Sequence, residues 1–326
     1  MLAKTIVKSV LLIGLGNVAV GYDASDASSA KVLSHARAFS RHPAFRLAGG
    51  VDPDAACRRR FQAAYGVPAF ADIEAAMREL SPDVVVVATP TALHQQTVMA
   101  VFAAGGPQAM LCEKPFAYEL AQAHQIVDAC AQHACALYVN FFRQAEPGVA
   151  EIRARLADGR IGSPVKGVVW YSKGMFNSGV HFLSLLQNLL GNVESVKIIN
   201  AGRLWHGTDP EPDVDIAFAS GRMVFLAAPE ENCFHNAFEL IAPNGRLRYE
   251  LGGARIVWQG VEEDARFKGY TRLSEISESI PADFDRIQWH VADQLATALE
   301  GRAAQLSSGM DALRTQEVLA NIKEKL

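Results

Sequence analysis

Apolar positions in the first third of the chain come in short unbroken runs, whereas those of the later half alternate with polar ones. Runs at residues 10–13, 45–51, 67–70, 84–88 and 109–112 are separated by stretches with helical spacing: one resumes near His35, one is capped by Asp72, and one covers 93–103. Continuous apolar runs suit strands covered on both faces, and their alternation with helices predicts a parallel, doubly wound sheet with right-handed crossovers. From about Glu119 the pattern changes. A helix over 120–133, a strand over 136–140 and a helix through 152–156 lead into β-rich segments between 165 and 260, with hairpin chemistry at Ser220-Gly221 and Asn244-Gly245. Strands in succession without intervening helices predict a large, mostly antiparallel open sheet. Two helices separated by Gly301 and by residues 307–309 close the chain. The expected fold is α/β: a doubly wound domain over 1–120 and an α/β domain with the open sheet over 121–326, the terminal helices packing back on the first. The open sheet face is a natural dimerisation surface, which gives a homodimer or homotetramer.

Composition narrows this picture. The chain has 326 residues, half of them apolar and a fifth charged, enough for two cores. No stretch approaches a membrane span. Lys4 and Lys8 precede an apolar run in the manner of a secretory signal, but the run ends in a glycine turn and reads as a central strand, so a cytoplasmic protein is expected. A net charge of −4 and a pI near 6.1 leave no footprint for nucleic acid. The cluster Arg58, Arg59, Arg60 is too short to change that and reads as one solvated helix face. Five cysteines (Cys57, Cys112, Cys130, Cys135, Cys233) without C-x-x-C spacing indicate neither a disulfide framework nor a metal site, and read as buried reduced thiols.

The candidate chemistry starts where the first run ends. VLLIGLGNVA, residues 10–19, places Gly14 at a tight turn, Gly16 where backbone must approach a phosphate, and Ala19 where the next helix must lie close to the strand. A second run ends in Asp52, whose carboxylate suits the ribose hydroxyls of an adenosine and repels a 2′-phosphate, favouring NAD over NADP. Asp52 also reads as the opening of a turn with Pro53 and Asp54. The interval from Gly16 to Asp52 exceeds the roughly 20 residues this fingerprint expects. The excess lies in the polar stretch 21–34, which reads as an insertion, either a flap over the ligand or a surface loop. Gly14, Asp52, Thr89, Pro90 and Lys114 all fall at strand ends, where ligands of such sheets bind.

Several motifs then occur in one order: GLGNVA, VDPD, ATPTALH (88–94), CEKPF (112–116), VNFFR (139–143), DGRIG (158–162), GVHFLSLLQNLLG (179–191) and SSGMDALRTQEVLANI (307–322). Together they resemble the glucose-fructose oxidoreductase, inositol dehydrogenase and rhizopine-catabolism family over nearly the whole chain. The resemblance implies a Rossmann domain followed by a broad-sheet domain, an NAD(P) cofactor, and oxidation or reduction of a hydroxyl on a sugar, polyol or nucleotide sugar. It implies cofactor contacts from Gly14, Gly16, Asn17, Val18, Asp52, Thr89, Pro90, His94, Glu113 and Lys114. Lys114 matches the lysine of the family's EKP motif and His181 the histidine of its DxGxH motif, but the motif's aspartate falls on Asn177. Ser184 stands where relatives often carry a further aspartate.

Hydride transfer from a carbinol carbon requires loss of the hydroxyl proton, a task for an imidazole, while an ammonium stabilises the developing alkoxide. His181 is the candidate acid/base and Lys114 the candidate polarising group. Each has a structural competitor: a salt bridge of Lys114 with Glu113 or Glu119, and a hydrogen-bonded core position for His181. Pro115 is a candidate cis residue that would aim Lys114. Asn140, Arg143, Tyr171, Lys173 and Asn177 are candidate substrate contacts, with helix capping and surface charge as the alternatives for Asn140 and Arg143. Trp170, Trp205 and Trp258 read as core or interface. Besides a dehydrogenase, two readings stay open: glycoside cleavage through transient oxidation by tightly held NAD, and a non-catalytic dinucleotide-binding sensor.

Overall fold

Val10, Leu11, Leu12 and Ile13 are buried on both faces of a sheet, as an all-apolar run in a central strand requires. The structure is a computed structural model that describes residues 7–24, 28–228 and 235–326. Lys4, Cys233 and residues 25–27 of the expected insertion lie outside the described residues. In chain order the first elements are β1 (Lys8–Ile13), α1 (His35–Arg41), β2 (Phe45–Val51), α2 (Ala55–Tyr65), β3 (Ala69–Phe70), α3 (Ile73–Leu80), β4 (Val84–Val87), α4 (His94–Ala103), β5 (Ala109–Cys112), α5 (Leu120–Gln132) and β6 (Ala136–Val139). The strands pair in parallel in the order β6-β5-β4-β1-β2-β3, the doubly wound arrangement that the alternation of runs predicts. Asp72 caps α3 as expected, accepting from the Ala75 N–H at 2.9 Å.

The second set comprises α6 (Pro147–Ala157), β7 (Val165–Tyr171), α7 (Val180–Leu190), β8 (Val193–Trp205), β9 (Asp209–Phe218), β10 (Gly221–Ala227), β11 (Ala237–Ala242), β12 (Gly245–Glu250), β13 (Arg255–Glu263), β14 (Thr271–Leu273) and β15 (Glu278–Ile280). Their sheet runs β14-β13-β12-β11-β7-β10-β9-β8, with β15 beside β13, and is antiparallel except where β7 meets β10. Phe182 of α7 packs edge-on against Phe238 and Tyr249, so this helix covers one sheet face. Trp170 and Ile241 point to the other and are exposed. Trp205 and Trp258 are half-buried in the same sheet; none of the three is a core residue.

Finally come α8 (Ile287–Leu299), β16 (Ser307–Ser308) and α9 (Gly309–Glu324). The chain to Ala145 together with Asp285–Gln316 forms one compact unit, and Glu146–Phe284 with Glu317–Leu326 another. The first unit thus runs beyond the expected boundary at 120 and regains a late segment. The physical reason is strand pairing: β6 pairs in parallel with β5, and β16 adds to β6 antiparallel at the sheet edge. Val291, Ala292 and Leu295 of α8 join the core built around Val10, Phe39 and Phe45.

The insertion does not interrupt the helix that it enters. Val20 N–H donates to Gly16 O in helical register, and then His35 N–H donates to Val18 O at 3.1 Å and Ala36 N–H to Ala19 O at 2.9 Å. His35 therefore stands where residue 22 would follow Val18 in an unbroken helix, an excess of thirteen positions. Subtracting it brings Asp52 from 36 positions after Gly16 to 23, close to the roughly 20 of the fingerprint. Buried Asp23 ties the two ends of the insertion together: its carboxylate accepts from the N–H groups of Leu33 (2.8 Å) and Ser34 (3.1 Å) and from Ser34 Oγ (2.5 Å), and lies 3.4 Å from Arg37 Nε. Val32 is held between Asp285 O and Gln288 N–H at the start of α8.

Removing the Asp23 carboxylate takes the counter-charge from the buried Arg37 guanidinium and the acceptor from two backbone donors, the situation in which a lost buried partner costs about 3–5 kcal/mol. Asp23→Ala is expected to lower the urea midpoint accordingly, with Asp23→Asn, which keeps an acceptor but no charge, between it and the parent protein.

Candidate active site

The two turn glycines do different jobs. Gly14 has φ +89°, donates to Val51 O at 2.8 Å, and a Cβ on it would lie 2.6 Å from Ala88 O, so neighbouring backbone demands glycine there. At Gly16 no atom of the described residues beyond its chain neighbours lies within 4 Å of an added Cβ. The protein itself has no need of that space, whereas a phosphate approaching backbone N–H groups does, so the turn fits a dinucleotide. Asn17 is exposed and Val18 half-buried beside it, while Ala19 is fully buried, as close helix packing requires. Asp52 spans both expected roles. One oxygen accepts from Leu15 N–H in the turn (2.9 Å), the other from Asp54 N–H (2.8 Å), which leaves roughly half of a carboxylate's four acceptor positions for ribose hydroxyls.

The arginine cluster departs from expectation. Consecutive helix positions do not share a face. Arg58 Nη1 donates to the carbonyls of Asp52 and Pro53 (2.7 and 2.8 Å), and Arg60 Nη2 to Leu15 O (2.9 Å), so both grip backbone at this corner, although Arg59 and Arg60 remain exposed and only Arg58 is half-buried.

Thr89 and Pro90 stand at the end of β4, half-buried and exposed respectively. His94 points inward: Nε2 lies 2.9 Å from Thr89 O and Nδ1 3.1 Å from Phe116 O, with the side chain buried. Burial pushes its pKa below the ordinary value against both carbonyls. A neutral ring carries one proton, so only one of the two contacts is a hydrogen bond at a time. His94 is therefore a brace between two loops, not the ligand contact implied by the resemblance.

Glu113 is also turned inward. Its Oε1 accepts from His35 Nε2 at 2.7 Å and Asn140 Nδ2 at 2.6 Å, and its Oε2 from Lys114 N–H at 3.2 Å. Burial pushes the carboxyl up, but His35, Asn140 and the Lys114 charge outweigh it and hold it below the usual glutamate range. Asn140, expected at substrate, instead bridges Glu113 and Gln288 in the interior. Arg143 is buried with its guanidinium 4.8 Å from the Phe142 ring centroid, which corrects its reading as surface charge. Lys114 is half-buried, and its bond to Pro115 is cis.

In the second unit, Tyr171 faces inward because side chains alternate along β7. It is fully buried with its hydroxyl on Pro212 O at 2.6 Å, and burial with nearby Glu211, Asp213 and Asp209 pushes its pKa far up. It offers nothing to a substrate. Lys173 is half-buried in the left-handed region (φ +66°), followed by Gly174 at +83°. A π-helical turn, Met175–Gly179, leads into α7. Two acids on β9 that no local pattern identifies brace this turn. Asp209 accepts from the N–H groups of Phe176 and Asn177 (3.0 and 2.9 Å), and fully buried Glu211 from Gly174 N–H (3.0 Å) and Arg203 Nε (2.7 Å). Burial and the Glu211 charge push Asp209 above the ordinary aspartate range despite its backbone donors. Asn177 Nδ2 donates to Lys173 O at 3.0 Å. His181 and Ser184 follow on α7, both buried. Among the described residues no helix is long and apolar enough to cross a membrane, and no group of three His, Cys, Asp or Glu residues is placed to hold a metal.

Residues 8–141 match the model of an oxidoreductase family with an NAD-binding Rossmann fold. The chain is similar to a myo-inositol dehydrogenase of Streptomyces leeuwenhoekii, 38% identical over 80 residues and 24% of each chain. It is also similar to 2,7-anhydro-N-acetylneuraminate hydratase of Escherichia coli, 24% identical over 241 residues, 67% of this chain and 63% of that one. The first such matches span only about a quarter of the curated relatives' length. A solved structure of an NAD-binding oxidoreductase from Klebsiella pneumoniae superposes with a TM-score of 0.78 at 19% identity, covering 98% of this chain and 96% of that one. At that identity the likeness establishes the fold alone.

Gly16→Val is expected to leave the thermal midpoint nearly unchanged while weakening NAD at least about tenfold by calorimetric titration. Gly14→Ala is expected to destabilise by about 2 kcal/mol or more, because both φ and the Ala88 carbonyl oppose it. A second expectation concerns acid. His94 and His42, both buried, have folded pKa values depressed below 6.5 by that burial, so their contribution to stability is present above that pH and lost as pH falls below it. The thermal midpoint should fall between about pH 7 and about pH 5, less steeply in His94→Gln, as scanning calorimetry would record.

Proposed function

We propose that the chain, whose residues 8–141 match an oxidoreductase family with an NAD-binding Rossmann fold, is an NAD-dependent oxidoreductase acting on a hydroxyl-bearing carbon of a sugar, polyol or nucleotide sugar. The observation that carries the reading is the unfilled space at Gly16, in a turn whose other glycine is dictated by the protein's own backbone. Asp52 beside it favours NAD over NADP by repelling a 2′-phosphate.

When bound, the dinucleotide supplies the hydride acceptor or donor. Lys114 then donates a hydrogen bond to the reacting oxygen and offsets its developing negative charge. His181 takes the hydroxyl proton in oxidation and returns it in reduction. Lys173 and Asn177, on the acid-braced turn ahead of α7, hold further substrate hydroxyls; Tyr171 and Asn140 drop out of that set because their polar atoms serve the interior. The same reading has the protein working in the cytoplasm as a homodimer or homotetramer through the sheet face that exposes Trp170 and Ile241.

The hydratase among the relatives favours a second reading, in which oxidation is transient and the net reaction is not redox, glycoside cleavage included. Incubating the protein with NAD and a panel of free and nucleotide-linked sugars separates the two. Net NADH absorbance supports the first and product at constant NADH the second, while binding without turnover over the panel rejects both in favour of a sensor. His181→Ala is expected to lower turnover by about 100-fold or more at unchanged NAD affinity; a near-parental rate excludes it as acid/base.

A further inference from the structure

We infer that His35 is a positioning residue for Lys114: from the first turn of α1 it fixes the buried Glu113 carboxylate that holds the Lys114 backbone, with Asn140 at the end of β6 as its partner in that clamp. That the clamp matters for turnover rests on the proposed function; that it sets the state of Lys114 does not.

Three elements converge on one side chain. Glu113 is 7% exposed, so its charge must be met by protein. His35 Nε2 lies 2.7 Å and Asn140 Nδ2 2.6 Å from the same oxygen, both short enough for charge-assisted hydrogen bonds. The other oxygen receives the Lys114 N–H. With Glu113 ionised, the shared proton sits on Nε2 of His35. The imidazole reaches this place only because helical hydrogen bonding passes across the insertion and sets His35 in register behind Val18.

The network also carries two unsatisfied atoms. His35 Nδ1 and Asn140 Oδ1 are buried with no hydrogen-bond partner among the described residues. Each such atom costs free energy, so an apolar packing would hold these elements together at least as well. A costly buried charge directly preceding a lysine at a strand end is better explained by what it does to that lysine. An ionised Glu113 favours the ammonium form of Lys114 and fixes the main chain from which it projects. The titratable groups facing Glu113 are His35, Lys114, Cys112 and His94.

Competitive labelling with acetic anhydride, read by peptide mass spectrometry against exposed Lys268, tests this on the full chain without reference to activity. Without its imidazole donor Glu113 protonates more readily, the neighbouring negative charge is lost, and Lys114 deprotonates at lower pH. His35→Leu is expected to label at Lys114 about tenfold faster at fixed pH, a shift of about one pKa unit. Glu113→Gln is expected to do the same, and the double variant to add nothing further. His35→Gln, which restores a neutral N–H donor, should stay within about threefold of the parent protein. Parental labelling in a folded His35→Leu, or effects that add in the double variant, overturns the inference. Should His35→Leu not fold, Glu113→Gln decides by itself: parental labelling of Lys114 in that variant overturns the inference. Labelling that shifts while turnover does not would reject Lys114 as the polarising group and leave the clamp standing.

Discussion

Helical hydrogen bonds carried across a gap in the sequence are the constraint on which the ligand edge of the first unit depends. Val18 and Ala19 end the turn that leaves room for a phosphate, and their carbonyls are taken up by His35 and Ala36. Without those bonds the turn would close no helix, and the dipole that favours an anion at its start would be one turn long. With them, a polar stretch of thirteen extra residues becomes a side excursion and the crossover keeps its length. Asp23 makes this possible by satisfying the donors where the excursion rejoins, at Leu33 and Ser34.

Buried carboxylates recur as the device that fixes chain where chemistry is proposed. Asp23 secures the splice, Glu113 the strand end before Lys114, and Asp209 with Glu211 the turn before His181. Each accepts from backbone N–H groups at a place where the main chain leaves a regular element and has donors to satisfy. The cost differs with surroundings. Around Glu113 the donors and the Lys114 charge win over burial, whereas Asp209, beside a second acid, is pushed up. The neutral form of Asp209 is thus favoured by folding, and its contribution to stability is lost as pH rises through its raised pKa, opposite in sense to His94.

What could be read from the sequence was local. The runs at 10–13, 84–87 and 109–112 were legible because a strand covered on both faces must be apolar throughout, and the roles of Gly14 and Asp72 because a turn and a cap are made within a few residues. The boundary near 120 was misplaced because β6 looks the same whether it adds to a parallel sheet or opens an antiparallel one; only its pairing with β5 decides. β16, two serines long, has no pattern at all. His35, Asp209 and Glu211 stayed hidden because their partners are distant in sequence, although the fingerprint interval, too long by about the length of the excursion, marked where to look for the first. Tyr171 and His94 depart from expectation in a common way: each turns its polar atoms to carbonyls in the interior, which nothing in the local sequence reveals.

Asn177 shows the reverse case, in which a departure from the resembled motif follows from local structure. Its backbone N–H is committed to Asp209, and its Nδ2 donates to the carbonyl of Lys173, a residue in the left-handed region that the Glu211 contact to Gly174 helps to hold. An aspartate at 177 would set an acceptor against that carbonyl and a second negative charge beside a carboxylate that burial already pushes toward neutrality. Only a donor suits the position while Asp209 braces the turn from β9. A carboxyl group thus still stands near the start of α7, held by Asp209 on β9 through the N–H groups of Phe176 and Asn177 and not by the residue at 177 itself.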